Sequence, residues 1–304
     1  MLITGPTKNL GRYATLAMAG RADKPDLILV GRAGKGLTDV ADEARGLGAT
    51  VREIGCDLAN LADVRAAAVR ARELLDNRVV RPLTAIVANA GLMSQDTRNA
   101  SADGYEMTFA VNHLAHAQLI KDLEGHLATS ARIVLLGSNT YSQNFWRKLL
   151  NVPEAKWADP LEIAKPAGSD TSPGMAATGV AYSNAKLAIL YYAHELQRRV
   201  RSDVNVTVFE PGWMPGTALG RNAPQAFQRM AHGLGRLPGV SKPEKSGPAL
   251  ASIALDSKWA NLRDGAFVLK DKVIPVRPVA QDRSREARLW EATDELLQTA
   301  RTEA

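Results

Sequence analysis

A tyrosine and a lysine four positions apart carry the clearest chemical signal in this sequence. Tyr182 and Lys186 lie in the stretch 179–200, which is rich in helix-forming residues and has no internal proline or glycine. On a helix, side chains at i and i+4 share one face. A free phenol has a pKa of about 10, and a neighbouring ammonium group lowers that pKa because it favours the phenolate. We therefore expect the Tyr182 phenol to exchange a proton with a substrate near neutral pH.

A glycine-containing turn follows the first predicted strand. Residues 4–11 read Thr-Gly-Pro-Thr-Lys-Asn-Leu-Gly and open a predicted helix. Glycines in such a turn let backbone amides approach a pyrophosphate at the helix N-terminus. Asn9 stands where a second loop glycine is typical, and asparagine is one of the few other residues that tolerates the left-handed region. The turn predicts a dinucleotide site formed by Gly5, Thr7, Lys8, Asn9, Leu10 and Gly11.

The end of the second predicted strand indicates which dinucleotide binds. Folds that select NAD usually place an acidic residue there, which binds the ribose 2′-hydroxyl group. Here the sequence reads Leu29-Val30-Gly31-Arg32, with an arginine and no acid. An arginine can hold a 2′-phosphate, and Lys8 in the glycine turn adds a second positive charge. We therefore expect NADP(H) rather than NAD(H) as the cofactor.

Strand-like and helix-like segments alternate along the first two thirds of the chain. Strands are predicted at 2–4, 26–30, 50–55, 83–88, 132–137, 204–209 and 265–269. Helices are predicted at 10–18, 36–47, 61–75, 104–127, 181–200 and 286–302. This alternation predicts a single α/β domain over 1–304, with a Rossmann-type doubly wound parallel sheet of about seven strands and helices on both faces. Ligands of such sheets bind at the carboxyl ends of the strands.

The composition is that of an ordinary globular chain. Its 304 residues are enough for one large α/β domain with a sizeable core. The single cysteine, Cys56, cannot form an internal disulfide, which is compatible with a reducing cytoplasm. No apolar run reaches the roughly 20 residues of a membrane span. Met1 leads straight into a very short first strand without the basic region of a signal peptide, which leaves open a native start upstream of Met1.

The net charge of +6 is not concentrated in one tract. Lysine- and arginine-rich blocks interleaved with aromatic residues are absent from the sequence, which argues against a nucleic-acid partner. A modest positive field instead favours anionic ligands such as a phosphorylated cofactor. His113 and His116 lie one helical turn apart, but no third ligand is nearby in the sequence, so we expect no metal site.

Several motifs, taken in order, resemble those of the short-chain dehydrogenase/reductase family, and the resemblance covers nearly the whole chain. They are the glycine turn 4–11, Cys56-Asp57-Leu58, Asn89-Ala90-Gly91, the segments 109–114 and 133–138, the pair Tyr182 and Lys186, and Pro211-Gly212 with Thr217. The resemblance implies the fold of that family and an oxidoreductase function.

The resemblance also implies roles for individual residues. Tyr182 would donate a proton to the substrate oxygen during reduction and remove one during oxidation, while Lys186 would hold the nicotinamide ribose and lower the pKa of Tyr182. Ser138 would hydrogen-bond the reacting oxygen, and Asn112 would position a water molecule that links Lys186 to solvent. Further cofactor contacts are implied for Asp57, Leu58, Asn89, Ala90, Gly91, Pro211, Gly212, Trp213 and Thr217.

Two segments depart from the usual family pattern. Ser138 and Tyr182 are 44 positions apart, and the excess lies in the insertion 139–179, which contains Tyr141, Phe145, Trp146 and Trp157. Long insertions in compact domains are often lids or binding loops, so we interpret this one as a wall of a large apolar pocket or, alternatively, as a surface flap. The segment 213–242 is a candidate substrate lid, with a peripheral membrane contact as the weaker alternative.

The combined pattern predicts a cytoplasmic NADPH-dependent enzyme that interconverts a carbonyl and an alcohol on a bulky, mainly apolar small molecule. Asn112-His113-Leu114-Ala115-His116 is similar to the retinol dehydrogenase-like reductases. The insertion and the last third also resemble the protochlorophyllide reductases, so light-dependent or enone-type C=C reduction stays open, as does a non-catalytic NADP(H)-sensing protein. Relatives often pair through the helices carrying Asn112 and Tyr182, but members with long insertions can be monomeric, so monomer and homodimer both stay open.

Overall fold

The apolar runs of the sequence form the strands of one sheet. The computed structural model describes residues 1–143, 153–170, 174–214 and 240–302. Within these residues the sheet has eight strands in the order β3-β2-β1-β4-β5-β6-β7-β8, with β7 and β8 antiparallel and all other neighbours parallel. The strands are β1 Leu2–Thr4, β2 Asp26–Gly31, β3 Thr50–Gly55, β4 Leu83–Ala88, β5 Leu127–Leu136, β6 Asn205–Glu210, β7 Ala266–Leu269 and β8 Lys272–Val273.

Helices cover both faces of this sheet. They are α1 Asn9–Ala19, α2 Lys35–Gly46, α3 Leu61–Asp76, α4 Met107–Phe109, α5 Ala115–Leu123, α6 Pro160–Ile163, α7 Met175–Arg199, α8 Pro243–Leu255 and α9 Arg283–Thr302. The apolar residues of α1, α2 and α8 form one buried cluster with one face of the sheet. Those of α3, α5, α7 and α9 form the cluster on the other face. No helix in the described ranges is both long and apolar enough to cross a membrane.

The strand sequences explain why both faces are covered. Leu27, Ile28, Leu29 and Val30 of β2 are all fully buried. Successive side chains of a strand point to opposite faces, so a strand that is apolar at every position needs a helical layer on each side. The α/β class and the doubly wound parallel sheet are therefore confirmed, and β3 and β4 have the predicted bounds.

The predicted helix 104–127 is wrong as a single element. The Glu106 side chain accepts a hydrogen bond from the Phe109 amide at 2.7 Å and caps the start of α4. A π-helical segment, Ala110–Leu114, then separates α4 from α5, and such segments are frequent at functional sites. The strand β5 begins at Leu127 instead of residue 132, because Leu127 pairs with Leu83 before an irregularity in the register.

Two other boundaries differ from the prediction. α7 begins at Met175 rather than at residue 181 and continues through Gly179, because extending a long helix is cooperative and outweighs the roughly 1 kcal/mol cost of one glycine. The two-residue strand β8 is not predicted. It forms only because the chain turns back after β7 and Val273 pairs with Val268.

The C-terminal helix α9 packs against the two helical segments that carry the candidate catalytic residues. His113 Nε2, in the π-helical segment, hydrogen-bonds with Thr293 Oγ1 at 2.8 Å. The ring of Trp290 stacks on that of Tyr192 of α7, with centroids 5.4 Å apart. α9 therefore covers the outer face of this helical layer.

Candidate active site

The carboxyl ends of four neighbouring strands bring the candidate residues to one edge of the sheet. Gly5 follows β1, Asn89 follows β4, and Ser138 lies two residues beyond the end of β5. Glu210 is the last residue of β6, directly before Pro211. Because β1, β4, β5 and β6 are adjacent and parallel, these residues line one crevice, as expected for ligand sites of open α/β sheets.

Tyr182 and Lys186 share the face of α7 that points toward this crevice. The Lys186 ammonium nitrogen lies 5.5 Å from the centroid of the Tyr182 ring. The lysine side chain is buried and donates a hydrogen bond of 2.7 Å to the carbonyl oxygen of Leu136, the last residue of β5. The lysine thus connects α7 to the strand that leads to Ser138.

The pKa of Tyr182 is raised in this structure, so the expected lowering by Lys186 is wrong here. The largest cause is the loss of water around the phenol, and the Glu210 carboxylate raises the pKa further. The hydrogen bond with the Ser138 side chain acts in the opposite direction but is smaller. Burial and the Glu210 charge together penalise the phenolate more than the hydrogen bond with Ser138 favours it, so Tyr182 is a protonated phenol at neutral pH.

The pKa of Lys186 is lowered to about 8. Burial of the ammonium group is the main cause, and the nearby Glu210 carboxylate partly opposes it. At pH 7 the side chain is therefore still mainly an ammonium ion, and it loses this charge at mildly alkaline pH.

Asn112 anchors the segment that follows β4. Its Oδ1 atom accepts from the Leu92 amide and its Nδ2 atom donates to the Leu92 carbonyl oxygen, both at 2.8 Å. A Cβ atom on Gly91 would lie 3.1 Å from Asn112 Oδ1 and 4.0 Å from Lys186 Nζ. Asn112, Gly91 and Lys186 are thus neighbours, while the role of Asn112 toward a water molecule stays a prediction.

Ser138 caps a short turn beside the tyrosine. It precedes the 3₁₀ turn Asn139–Tyr141, and its Oγ atom accepts from the Thr140 amide at 3.4 Å. The same side chain hydrogen-bonds the Tyr182 phenol. Two hydroxyl groups therefore stand side by side at this end of β5.

A carboxylate that the sequence analysis does not include lies beside the pair. Glu210 is only 4% exposed. Its Oε2 atom accepts from the Asn139 amide at 2.5 Å, and its Oε1 atom accepts from the Gly212 amide at 3.1 Å. The available signal is an acid at the end of an apolar strand, directly before a Pro-Gly turn, because a charged residue is rarely buried unless it has partners.

The glycine turn has the backbone geometry that the sequence predicts. Gly5 and Asn9 both have positive φ, 64° and 47°. α1 begins at Asn9, and its N-cap residue Lys8 makes no side-chain capping hydrogen bond. A Cβ atom on Gly11 would collide with the carbonyl oxygen of Gly5, so only glycine permits this close approach of helix and turn.

Asn89 holds this turn against the next strand. Its Nδ2 atom donates to the carbonyl oxygens of Thr4 at 2.9 Å and Gly5 at 3.1 Å. The Ala90 amide donates to Thr4 Oγ1 at 3.0 Å. The motif Asn89-Ala90-Gly91 therefore fixes the spacing of the β1 and β4 loops that face the crevice.

Comparison with known proteins extends this picture to the whole chain. Residues 1–148 match the short chain dehydrogenase family. A protein of Streptomyces sp. (strain C5), assigned by inference as a daunorubicin C-13 ketoreductase, is 29% identical over 294 residues, which are 96% of this chain and 90% of that protein. These matches support a member of the short-chain dehydrogenase/reductase family, and with it an oxidoreductase.

Two other relatives are similar over nearly the full length of this chain. Human retinol dehydrogenase 13 is 27% identical over 305 residues, covering 98% of this chain and 84% of that protein. Protochlorophyllide reductase A of Oryza sativa subsp. japonica is 26% identical over 327 residues, covering 98% of this chain and 80% of that protein.

Solved structures share the fold of this chain. A short chain dehydrogenase from Burkholderia cenocepacia J2315, solved in complex with NADP, has a TM-score of 0.63 at 19% identity and covers 89% of this chain and 95% of its own. A blue fluorescent protein from a metagenomic library, solved in complex with NADPH, has a TM-score of 0.62 at 19% identity with the same coverage of both chains.

The two cations predicted to select the nucleotide are both exposed in this chain. Lys8 and Arg32 form no ion pair within the described residues, whereas Lys35 pairs with Asp39 at 2.6 Å. The Gly5 amide donates to the Val30 carbonyl oxygen at 2.9 Å, so the glycine turn rests on the end of β2. Within the described residues, the positive charges of Lys8 and Arg32 are therefore free to bind an anionic ligand beside the glycine turn.

The acid after β3 lies next to this region. Asp57 is exposed, and its Oδ1 atom accepts from the Ala59 amide at 3.0 Å. Leu58 is buried. The Cys56 amide donates to the Gly31 carbonyl oxygen at 2.9 Å, and burial raises the pKa of its thiol to about 12. Cys56 is therefore a core residue, with Asp57 presented at the same edge as Arg32.

The loop after β6 is described only in part. Gly212 has a positive φ of 84°, and Trp213 is 52% exposed. The Trp213 carbonyl oxygen accepts from the Ser241 amide at 2.9 Å. Thr217 and most of the candidate lid 213–242 lie at 215–239, outside the described residues, so their predicted roles stay predictions.

The described part of the insertion packs against the body of the protein. Tyr141 is buried and its hydroxyl oxygen accepts from the Arg277 amide at 3.1 Å. The Trp157 ring meets the ring of Tyr191 edge to face at 4.8 Å. Phe145 and Trp146 lie outside the described residues. Two of the four aromatic residues are thus used for packing, and the pocket wall formed by the insertion 139–179 stays a prediction.

His116 is a second buried group that the sequence analysis does not place in the site. Its Nδ1 atom lies 3.2 Å from the Asn112 carbonyl oxygen and its Nε2 atom 2.9 Å from Thr4 Oγ1. Burial lowers the pKa of His116 to about 4 and that of His113 to about 3, so both rings are neutral at pH 7. Within the described ranges, no three His, Cys, Asp or Glu residues are grouped to hold a metal ion.

Proposed function

We propose that this protein is an NADP(H)-dependent reductase that interconverts a carbonyl and an alcohol on a bulky, mainly apolar substrate, with Tyr182 as the general acid and base. The observation that carries the proposal is the grouping of the half-buried Ser138 and Tyr182 with the buried Lys186 at the carboxyl end of β5. A protonated phenol beside a second hydroxyl and an ammonium group suits a reaction in which charge develops on oxygen.

The residues at the ends of β1 and β2 fit NADP(H). Close packing at Gly11 and the uncapped start of α1 leave backbone amides for a pyrophosphate. Lys8 and Arg32 are exposed cations that suit a 2′-phosphate, and no acid stands at the end of β2 to repel it. When bound, NADPH supplies the hydride of the reduction. Lys186 would hold the nicotinamide ribose.

The proton chemistry follows from the protonation states of the site. As the carbonyl carbon is reduced, negative charge grows on the substrate oxygen, and Tyr182 donates its phenolic proton to that oxygen. Ser138 contributes a second O–H donor. The Lys186 ammonium group stabilises the phenolate that remains, and a proton from solvent restores the phenol. In alcohol oxidation the phenolate removes the proton instead, so the raised pKa of Tyr182 favours the reductive direction at neutral pH.

The substrate class is inferred from the names of the relatives and from the exposed Trp213 side chain beside the site. Two of the relatives are named for reactions of daunorubicin and of retinol, which are both bulky molecules. In this chain Trp213, a large exposed apolar side chain, directly follows the loop beside the candidate catalytic residues. Both observations support a bulky carbonyl compound.

The test is NADPH consumption with a panel of bulky apolar ketones and aldehydes. We expect turnover by the wild-type protein and a loss of about 10²–10⁴-fold in kcat for Tyr182→Phe, with NADPH affinity unchanged. Binding of NADPH without turnover of any carbonyl would favour the NADP(H)-sensing alternative. Full activity of Tyr182→Phe would show that Tyr182 is not the general acid and base.

C=C reduction is the second candidate, because the similarity to protochlorophyllide reductase A spans 98% of this chain. The same phenol would then donate its proton to carbon. Turnover of protochlorophyllide under illumination, compared with a dark control, separates this activity from carbonyl reduction, which needs no light.

A further inference from the structure

We propose that Glu210 is a positioning residue for this reaction, whose carboxylate joins the two loops on either side of Tyr182 and supplies negative charge to the Tyr182–Lys186 pair. The inference rests on the proposed function and extends it to a residue outside the group that transfers the proton.

The carboxylate joins the loops through both of its oxygen atoms. Oε2 accepts from the amide of Asn139, the residue after Ser138, and Oε1 accepts from the amide of Gly212. The Glu210 carbonyl oxygen in turn accepts from the Lys270 amide at 2.8 Å. One side chain therefore fixes the serine-bearing turn relative to the loop on the nicotinamide side.

Burial makes this arrangement specific for a carboxylate. Glu210 is 4% exposed, and two amide donors directed at its two oxygens match the acceptor-only character of an ionised acid. A glutamine keeps one acceptor oxygen but turns an NH₂ group toward the other amide, so one hydrogen bond is lost. An aspartate keeps the charge but is shorter by one methylene group.

The charge acts on both members of the catalytic pair. Tyr182 and Lys186 of α7 face the carboxylate, and it raises the pKa of each. Lys270, from the β7–β8 turn, is a further charged residue at this loop: its amide donates to the Glu210 carbonyl oxygen, and its Cε atom lies 2.6 Å from the position that a Cβ atom on Gly212 would take. Without the Glu210 charge, both pKa values shift downward, since the ammonium loses an attractive partner and the phenolate a repulsive one.

The first measurement does not depend on catalysis. The Lys186 ammonium is titrated by NMR of its ¹³Cε and ¹⁵Nζ nuclei, assigned by comparison with Lys186→Arg. We expect the midpoint in Glu210→Gln to lie about one pH unit below that of the wild-type protein. Glu195→Gln is the matched control, because Glu195 is a buried acid of α7 whose ion pairs are with Arg198 and Arg199. An unchanged midpoint in Glu210→Gln would overturn the electrostatic part of the proposal.

The second measurement is the pH dependence of carbonyl reduction. We expect Glu210→Gln to lose roughly 10²-fold in kcat, since small displacements of reacting groups cost about that much, and its alkaline limb to move to lower pH. Glu210→Asp should have a lower kcat than the wild-type protein, while the alkaline limb of its pH profile stays at the wild-type pH. If Glu210→Gln does not fold, Glu210→Asp still tests the positioning role, and a wild-type kcat for that variant would refute it.

These outcomes separate the inference from the proposed function. If no carbonyl is turned over but the Lys186 midpoint shifts, the reaction is misassigned and the electrostatic role of Glu210 stands. If Tyr182→Phe is inactive while Glu210→Gln has wild-type kinetics and an unchanged Lys186 midpoint, the reaction stands and the role of Glu210 does not.

Discussion

The ammonium nitrogen of Lys186 lies 5.5 Å from the ring centroid of Tyr182. Its hydrogen bond of 2.7 Å goes to the Leu136 carbonyl oxygen, so the lysine acts on the phenol as a fixed charge near the ring. Lys186 is buried and Tyr182 is half-buried at the end of β5, so the charge of the lysine is little screened by solvent. In the mechanism we propose, the protonation state of Lys186 sets how readily Tyr182 gives up its proton.

We expect kcat for carbonyl reduction to fall as the pH rises through about 8, the pKa of Lys186. The protonated lysine is the active form, because it stabilises the phenolate that remains after proton transfer. Lys186→Arg keeps its charge throughout this range, so it should have a lower kcat but no decline near that pH. Lys121→Arg, on the exposed side of α5, is the control. A wild-type profile that is flat into the strongly alkaline range would contradict this role.

Arg32→Ala should weaken NADPH binding by about 10- to 100-fold, the value of a charge-assisted hydrogen bond to a phosphate. NADH binding should be unaffected, because NADH lacks the 2′-phosphate. Lys35→Ala is the matched control, since Lys35 is an exposed cation three positions away whose charge is paired with Asp39. Titration of each variant with both nucleotides measures the effect. Equal losses for NADPH and NADH would indicate a general defect instead.

The free energy of unfolding should decrease as the pH falls from about 6.5 toward 4. His113 and His116 are buried and neutral, with pKa values of about 3 and about 4. In the unfolded chain they bind protons from about pH 6.5 downward, so the unfolded state takes up more protons in this window and acid destabilises the fold. Urea denaturation at several pH values measures the slope.

His113→Gln should reduce that slope by about 1.4 kcal/mol per pH unit, the contribution of one titrating group. At neutral pH the variant should also have a lower free energy of unfolding, since glutamine does not reproduce the hydrogen bond from His113 Nε2 to Thr293 Oγ1 or the packing of the imidazole ring. His126→Gln, at the surface beside Asp76, is the control. A slope in His113→Gln equal to that of the wild-type protein would show that His113 does not set the acid sensitivity.

We expect the protein to be a monomer of 32.7 kDa. The helical layer that carries Asn112 and Tyr182, through which relatives often pair, is covered by α9. Trp290 stacks on Tyr192 and lies under Arg199, and Lys121 pairs with Asp294 at 2.7 Å. Size-exclusion chromatography with light scattering over a range of protein concentrations tests this. A stable mass of twice that value would show that pairing uses another face or displaces α9.

Much of the fold follows from the sequence because its signals are local. The apolar runs of β3 and β4 have the predicted bounds, since burial on both faces of a parallel strand requires apolar residues at nearly every position. The left-handed backbone at Asn9 was also predictable, because few other residues adopt it. The break near Asn112 was not, because the π-helical segment makes contacts with Leu92 and with Thr293 of α9, which are distant in the sequence.

The sequence by itself determined the alternation of strands and helices along the chain, the glycine turn, and the four-residue spacing of Tyr182 and Lys186. All three depend on residues that are neighbours in the sequence. Only the tertiary structure decided the direction of the Tyr182 pKa and brought Glu210 to the pair. It also decided that α9 covers the face of α5 and α7. The reason is physical: desolvation and charge interactions depend on which groups fold around an atom, and here those groups come from β5, β6 and α7. No local spacing in the chain encodes that environment.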